Sequence, residues 1–305
     1  MSSDADTESQ SSDHDIEQDS STVESTVKST VKSRAKSFIE IPYLDTVKYA
    51  NSEHWIDFLT DQNTLDAIPY DLTWVVMFAQ LRKKNQYFQI TNKLRDEVKQ
   101  NKHIKIYPKP RYLFSAFLAC PANKLKVVIL GQDPYPKSEF DQLNGIQVPQ
   151  AMGMSFSVAH GINITSSLRN IYQNLIEFKH IDKMPDSGNL WFWAVQGCLM
   201  LNTALTVRDD EKQSHSAMWK WFTDEIIKYI SDNFDSIIFV LWGRDAYNKI
   251  NLIDQDKHHT IISSHPSGLS VNKPMQNFPA FAKHDHFGEI NRILKEDGRT
   301  PILWK

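Results

Sequence analysis

Cysteine is scarce in this chain, with only Cys120 and Cys198 among 305 residues. Both sit in apolar stretches, so buried thiols are expected and a disulfide or metal-ligand role is disfavoured. A cluster needing four cysteine ligands is excluded. No run of about 18 apolar residues is present to span a bilayer, and the N-terminus opens on Ser, Asp and Glu where a signal sequence would be basic and then apolar. The expectation is a soluble, unsecreted protein without membrane contact. Three chemical signatures are also missing. There is no CxxC or HExxH pattern around His258-His259 or His284-Asp285-His286, no glycine-rich phosphate loop, and no Ser-His-Asp arrangement. No metal and no cofactor are therefore expected, and a small-molecule α/β hydrolase is disfavoured.

Basic residues are absent from one region in particular. Residues 1 to 27 carry eight acids and no Lys or Arg, which leaves 29 acids against all 34 bases in 28 to 305. A formal net charge of −3 thus conceals a mildly basic main body, compatible with phosphate contact without requiring it. The first 37 residues are mostly Ser, Thr, Asp and Glu, including a Ser-Thr-Val-Glu/Lys repeat from Ser21 to Lys32. They hold too few large apolar groups to offset chain entropy, so a disordered acidic tail is expected. Between 38 and 71 the apolar residues Ile39, Tyr43, Tyr49, Trp55 and Phe58 predict an ordered extension packed on the main domain, which runs from 72 to 305.

Within that domain, short apolar runs at Lys126–Leu130, Cys198–Asn202, Ser236–Trp242 and His259–Ser263 read as strands. Helical spacing lies between them, at Trp74–Lys84, Tyr112–Leu118, Ser167–Phe178, Leu190–Gln196, Trp219–Ile230 and Phe278–Leu294. Strand and helix in alternation predict an α/β fold whose parallel sheet is covered on both faces.

Segments with chemical character follow those strands. Residues 128 to 136 read Val-Ile-Leu-Gly-Gln-Asp-Pro-Tyr-Pro, which holds the carboxylate of Asp133 in a Gly-to-Pro loop after a buried strand. Downstream come Met154-Ser155-Phe156-Ser157-Val158, then Leu201-Asn202-Thr203-Ala204-Leu205-Thr206-Val207, then His265-Pro266-Ser267-Gly268-Leu269-Ser270. Taken singly, the loop could be a turn, the histidine structural and the aromatics ordinary core. In this order and separation, the four segments closely resemble the family 1 uracil-DNA glycosylases, from about Leu72 to Lys305.

That resemblance implies a four-stranded parallel sheet flanked by helices, with the site at the strands' C-terminal ends. It implies an enzyme that flips uracil out of DNA and hydrolyses its N-glycosidic bond, leaving an abasic site for base-excision repair. The carry-over makes Asp133 and His265 catalytic, and places Gln132, Tyr135, Phe156 and Asn202 on the uracil. Leu269 becomes a wedge entering the base stack, and Ser167, Ser267 and Ser270 become phosphate contacts. Single- and double-stranded uracil-containing DNA is the expected partner of a monomer, at intracellular sites of DNA such as a nucleus or a viral replication compartment.

The chain departs from the family pattern in several places. Pro136 stands where most members have His, the Lys137 to Gln150 loop is about ten residues longer than usual, Ile164-Thr165-Ser166-Ser167 replaces a proline-rich loop, and Gly268 replaces Pro. These changes, with an extension of the kind seen in some large DNA virus members, keep an alternative in view. It is a replication or processivity scaffold on the same fold, binding a replication or repair protein through residues 1 to 71.

Overall fold

The computed structural model describes residues 46–60, 63–141 and 144–305. The acidic tail, and the extension up to residue 45, lie outside the described residues. Among the described residues, β1 (Ile106–Tyr107) pairs antiparallel with β6 (Val207–Arg208), β3 (Ser138–Asp141) with β4 (Ile146–Pro149), and four strands form the central sheet: β2 (Val127–Gly131), β5 (Cys198–Asn202), β7 (Ile238–Trp242) and β8 (His259–Ser263). All pairings are parallel, and the order across the sheet is β5-β2-β7-β8. Every residue of β2, β5 and β7 is buried, as expected of apolar runs with helices on both faces, while His259 and Thr260 of the edge strand β8 are half-buried. The chain leaves β2 for β5 on one side and then returns to β7 on the other. The crevice of an open α/β sheet forms at such a reversal of winding direction.

The strands match their expected positions to within two residues at either end. Helices are less well anticipated. The sixteen-residue helix Asn85–Gln100 was not anticipated, although its buried residues Tyr87, Ile90, Thr91, Leu94 and Val98 follow helical spacing. It packs against the eighteen-residue helix Ser216–Asn233, whose inner face carries Trp219, Phe222, Ile226 and Ile230. The Phe278–Leu294 expectation is too long, since the α-helix covers only His286–Glu296. Its start is set by Asp285, whose side chain accepts from the Gly288 N–H at 2.9 Å.

Inside the loop after Asp133 is an antiparallel hairpin, β3 (Ser138–Asp141) with β4 (Ile146–Pro149), which was not expected from the sequence. It docks on a short helix, Thr46–Ala50, ahead of the main domain. The contact is polar: the Thr46 hydroxyl donates to the buried Asp141 at 2.6 Å, and the exposed Asn144 donates to the same carboxylate through Nδ2 at 2.7 Å. Lys109 reaches the carbonyls of Ala50 and Ser52 at 2.6 and 2.7 Å, capping the helix's C-terminal end. Tyr49, Trp55, Phe58, Leu59, Leu65 and Ile68 belong to the same hydrophobic cluster as the sheet. No helix among the described residues is long and apolar enough to cross a membrane.

Candidate active site

The four sheet strands deliver their C-terminal ends to one cleft of about 610 Å³. Asp133 follows β2, Asn202 ends β5, Gly243 to Asp245 follow β7, and His265 follows β8. Gln132, Tyr135, Phe156, Ser167, Ser267, Leu269 and Ser270 also line it, so all ten residues singled out from the sequence meet in one place.

Asp133 is half-buried, and its Oδ2 accepts from the Gln213 backbone N–H at 2.7 Å. Burial raises its pKa above the ordinary carboxylate range; the Gln213 bond and Lys212 oppose the shift, and Asp245 adds to it. His265 is held differently. Its Nδ1 accepts from the Ser267 backbone N–H at 3.0 Å, which puts the ring proton of the neutral imidazole on Nε2. Burial pushes its pKa down to about 4, so near neutral pH the ring is an uncharged donor.

Asn202 stands 7% exposed beside Gly131, its register partner across β2 and β5. A Cβ on Gly131 would lie 2.2 Å from Asn202 Oδ1, so glycine is needed there for the amide to fit. Among the described residues, no side chain or backbone group hydrogen-bonds that amide. Such a buried amide stays costly until something pairs with it.

The aromatic side of the cleft is strained and bonded. Phe156 has φ +61°, a left-handed conformation costing about 1–3 kcal/mol for a non-glycine residue. The neighbouring Ser155 offsets this by bonding Met200 O through its N–H (2.9 Å) and Ile129 O through its hydroxyl (3.1 Å). The Phe156 ring then lies 5.9 Å from the His265 ring, centroid to centroid. Tyr135 donates to Phe156 O at 3.2 Å and pairs with the Thr165 hydroxyl at 2.7 Å, while burial pushes its phenol up to about 12.

At the rim, Leu269 is 83% exposed, the most exposed large apolar side chain described. The turn beneath it is tied by Ser270 and Val271 N–H groups to Ser267 O, both at 2.9 Å, and by Asn170 Nδ2 to Pro266 O at 2.7 Å. Ser167 sits in the first turn of the helix Ser166–Glu177, whose N-terminal end faces the cleft.

The model of the uracil DNA glycosylase superfamily matches residues 117–295. The chain belongs to that superfamily. A probable uracil-DNA glycosylase of Acanthamoeba polyphaga mimivirus is 38% identical over 270 residues, covering 84% of this chain and 71% of that relative. The uracil-DNA glycosylase of Helicobacter hepaticus is 42% identical over 207 residues, covering 68% of this chain and 83% of its own. The crystal structure of mimivirus uracil-DNA glycosylase superposes with a TM-score of 0.79 at 38% identity, over 87% of this chain and 98% of that one. A match to 84% of 305 residues exceeds the 234 between Leu72 and Lys305, so the mimivirus likeness includes part of the N-terminal extension.

Several glycosylase cleft residues were not singled out from the sequence. Gly131 and Gly243 act by what they lack: a Cβ at Gly243, φ +89°, would come within 2.8 Å of His265 Cβ. Both follow apolar strands, a position where glycine signals close approach. Thr165, Lys212, Gln213 and Asp245 arrive from other elements, and no local pattern marks them. The histidine pairs considered for metal are otherwise engaged. His258 bonds Ile237 N–H and Ser231 O, and His286 bonds Trp242 Nε1 and Phe281 O. Among the described residues no three metal-type side chains cluster.

Proposed function

We propose that this cleft hydrolyses the bond between uracil N1 and deoxyribose C1′ in DNA, with Asp133 and His265 as its catalytic residues. The observation that carries the assignment is the pairing of a carboxylate and a neutral imidazole across a pocket floored by an unpaired amide. As the glycosidic bond breaks, its electron pair leaves on uracil and positive charge grows on the sugar. The Asp133 carboxylate stabilises that sugar and takes a proton from the water that attacks C1′. His265, its proton on Nε2, donates to uracil O2 as negative charge collects there.

Recognition of the base follows from the floor. Asn202 accepts from uracil N3–H through Oδ1 and donates to O4 through Nδ2, a pattern that cytosine reverses. Tyr135, fixed by two hydrogen bonds, stands at the C5 edge and excludes the methyl of thymine. Phe156 stacks on the ring beside the Gln132 backbone. Leu269 enters the duplex stack as the nucleotide leaves it, while Ser167, Ser267 and Ser270 hold the flanking phosphates. Residues 46 to 71, whose apolar side chains join the main core, work as part of the catalytic domain. Single- and double-stranded DNA are both substrates, at intracellular sites of DNA. An intact floor supports catalysis over a purely scaffolding role.

The test is uracil release from single- and double-stranded oligonucleotides in EDTA, with abasic sites revealed by alkali. Wild type should cleave both, and Asp133→Asn should lower the single-turnover rate by about 10³-fold at unchanged DNA affinity. Near-normal cleavage by the variant would remove Asp133 from its role, and no cleavage by wild type would overturn the function.

A further inference from the structure

Asp245 is a second carboxylate in the cleft, and the reading above gives it no work. It follows β7 directly after Gly243 and Arg244, lines the pocket, and accepts a hydrogen bond from Gln132 Nε2, the side chain next to Asp133. Lys212 lines the same cleft, one residue before the Gln213 N–H that grips Asp133. Both are exposed at the lip. Neither makes an ion pair with the other or with Asp133.

We infer that Lys212 and Asp245, brought beside Asp133 through the Gln213 bond and the Gln132 side chain, are a pair of opposed positioning residues that set the acid limit of glycosylase activity. The inference rests on the catalytic role of Asp133 proposed above. The charged groups at this end are Asp210 and Lys212 from one loop, Lys137 from the loop after Asp133, Arg244 and Asp245 after β7, and His265 after β8. Lys137 is engaged with Asp210 at 3.5 Å, and His265 is neutral. Among these charges the lysine favours the ionised form of Asp133 and Asp245 disfavours it. Asp245 also binds the Gln132 side chain, so it orients that residue and adds negative charge in one move. The cost is a less readily ionised Asp133 and a lip less attractive to phosphate.

The sign of each change follows. Activity requires ionised Asp133, so the rate rises with pH through its pKa. Removing the charge of Asp245 lowers that pKa and moves the acid limb to lower pH, and removing the charge of Lys212 moves it to higher pH. Removing one nearby charge at an exposed lip, in a water-like dielectric, shifts a pKa by about half a unit.

The experiment is the pH dependence of the single-turnover rate on a uracil-containing single strand with enzyme at saturation, which separates chemistry from DNA affinity. Asp245→Asn should shift the acid limb down by about half a pH unit, and Lys212→Gln should shift it up. Asp245→Glu, which keeps the charge, should restore the wild-type limb. Asp245→Asn still offers an oxygen to Gln132, so a purely structural role would leave the limb in place for that variant. An unmoved limb, or the same direction of shift in both charge-removing variants, would overturn the inference while wild-type cleavage and its loss in Asp133→Asn leave the function standing. If Asp133→Asn keeps wild-type activity, the function reading fails first.

Discussion

The floor of the cleft and its rim are built by different means. On the floor, Asp133, Asn202 and His265 each stand at or just past the C-terminal end of a strand of the sheet, and each is held or cleared by backbone: the Gln213 N–H, the absent Cβ of Gly131 and the Ser267 N–H. At the rim, Leu269 stands almost fully in solvent, and a Cβ on the adjacent Gly268 would touch nothing within 4 Å. The contrast shows where preorganisation is located. On the roles proposed above, groups that meet charge in the transition state are immobilised before substrate arrives, whereas the group that would fill space in DNA has no partner until DNA supplies one.

The comparison is tested most severely by placing an equal perturbation in both regions. Gly131→Ala should cost about 10²-fold or more in cleavage and lower the melting temperature, because the new methyl group collides with Asn202 Oδ1. The same substitution at Gly268 should leave both measurements near wild type. If the two glycines respond alike, the floor is not the rigid element described here.

Substitutions on the floor should also change which base is cleaved. Asn202→Asp should admit cytosine, since a protonated or reoriented carboxyl can accept from its exocyclic amine, and Tyr135→Ala should admit thymine by opening space for the methyl. Product analysis on oligonucleotides carrying each base decides it. Loss of uracil cleavage without gain on the other bases would refute both assignments.

The rim predicts a smaller and substrate-dependent effect. Leu269→Ala should slow cleavage of duplex DNA by roughly tenfold, the scale of burying one leucine side chain, and affect single strands less because no stack has to be refilled. Equal losses on both substrates would assign Leu269 to the support of its loop. Smallest of all, Ser267→Ala should weaken DNA binding slightly, since its backbone N–H, which holds His265, survives the change. A large loss of rate with intact affinity would show that the hydroxyl also orients the imidazole.

The histidine adds a pH signature to the floor. With its pKa pushed down to about 4, His265 is neutral near neutral pH, while burial raises the pKa of Asp133 above its ordinary value. Cleavage should therefore fall on acidification as Asp133 loses its charge. Following the His265 ring by NMR while the rate is measured is the check, and a ring found protonated near neutral pH would refute its assignment as an uncharged donor.

The sequence by itself determined the sheet and the identity of the floor. Apolar runs of strand length are legible because burial on both faces demands them, and Asp133, Asn202 and His265 stand out as polar residues where such runs end. The helix Asn85–Gln100 carries helical spacing in its buried residues, yet it was not among the expected helices. The hairpin after Asp133 was not legible, because Ser138 to Pro149 lacks strict alternation and its docking depends on the Thr46–Asp141–Asn144 contacts across nearly a hundred residues of chain. Only the tertiary structure decided which nitrogen of His265 carries the proton, which glycine clears space for Asn202, and that Lys212 and Asp245 line the same cleft as Asp133. Each depends on the approach of atoms from separate strands and loops, and a one-dimensional pattern records periodicity along an element but not distance between elements.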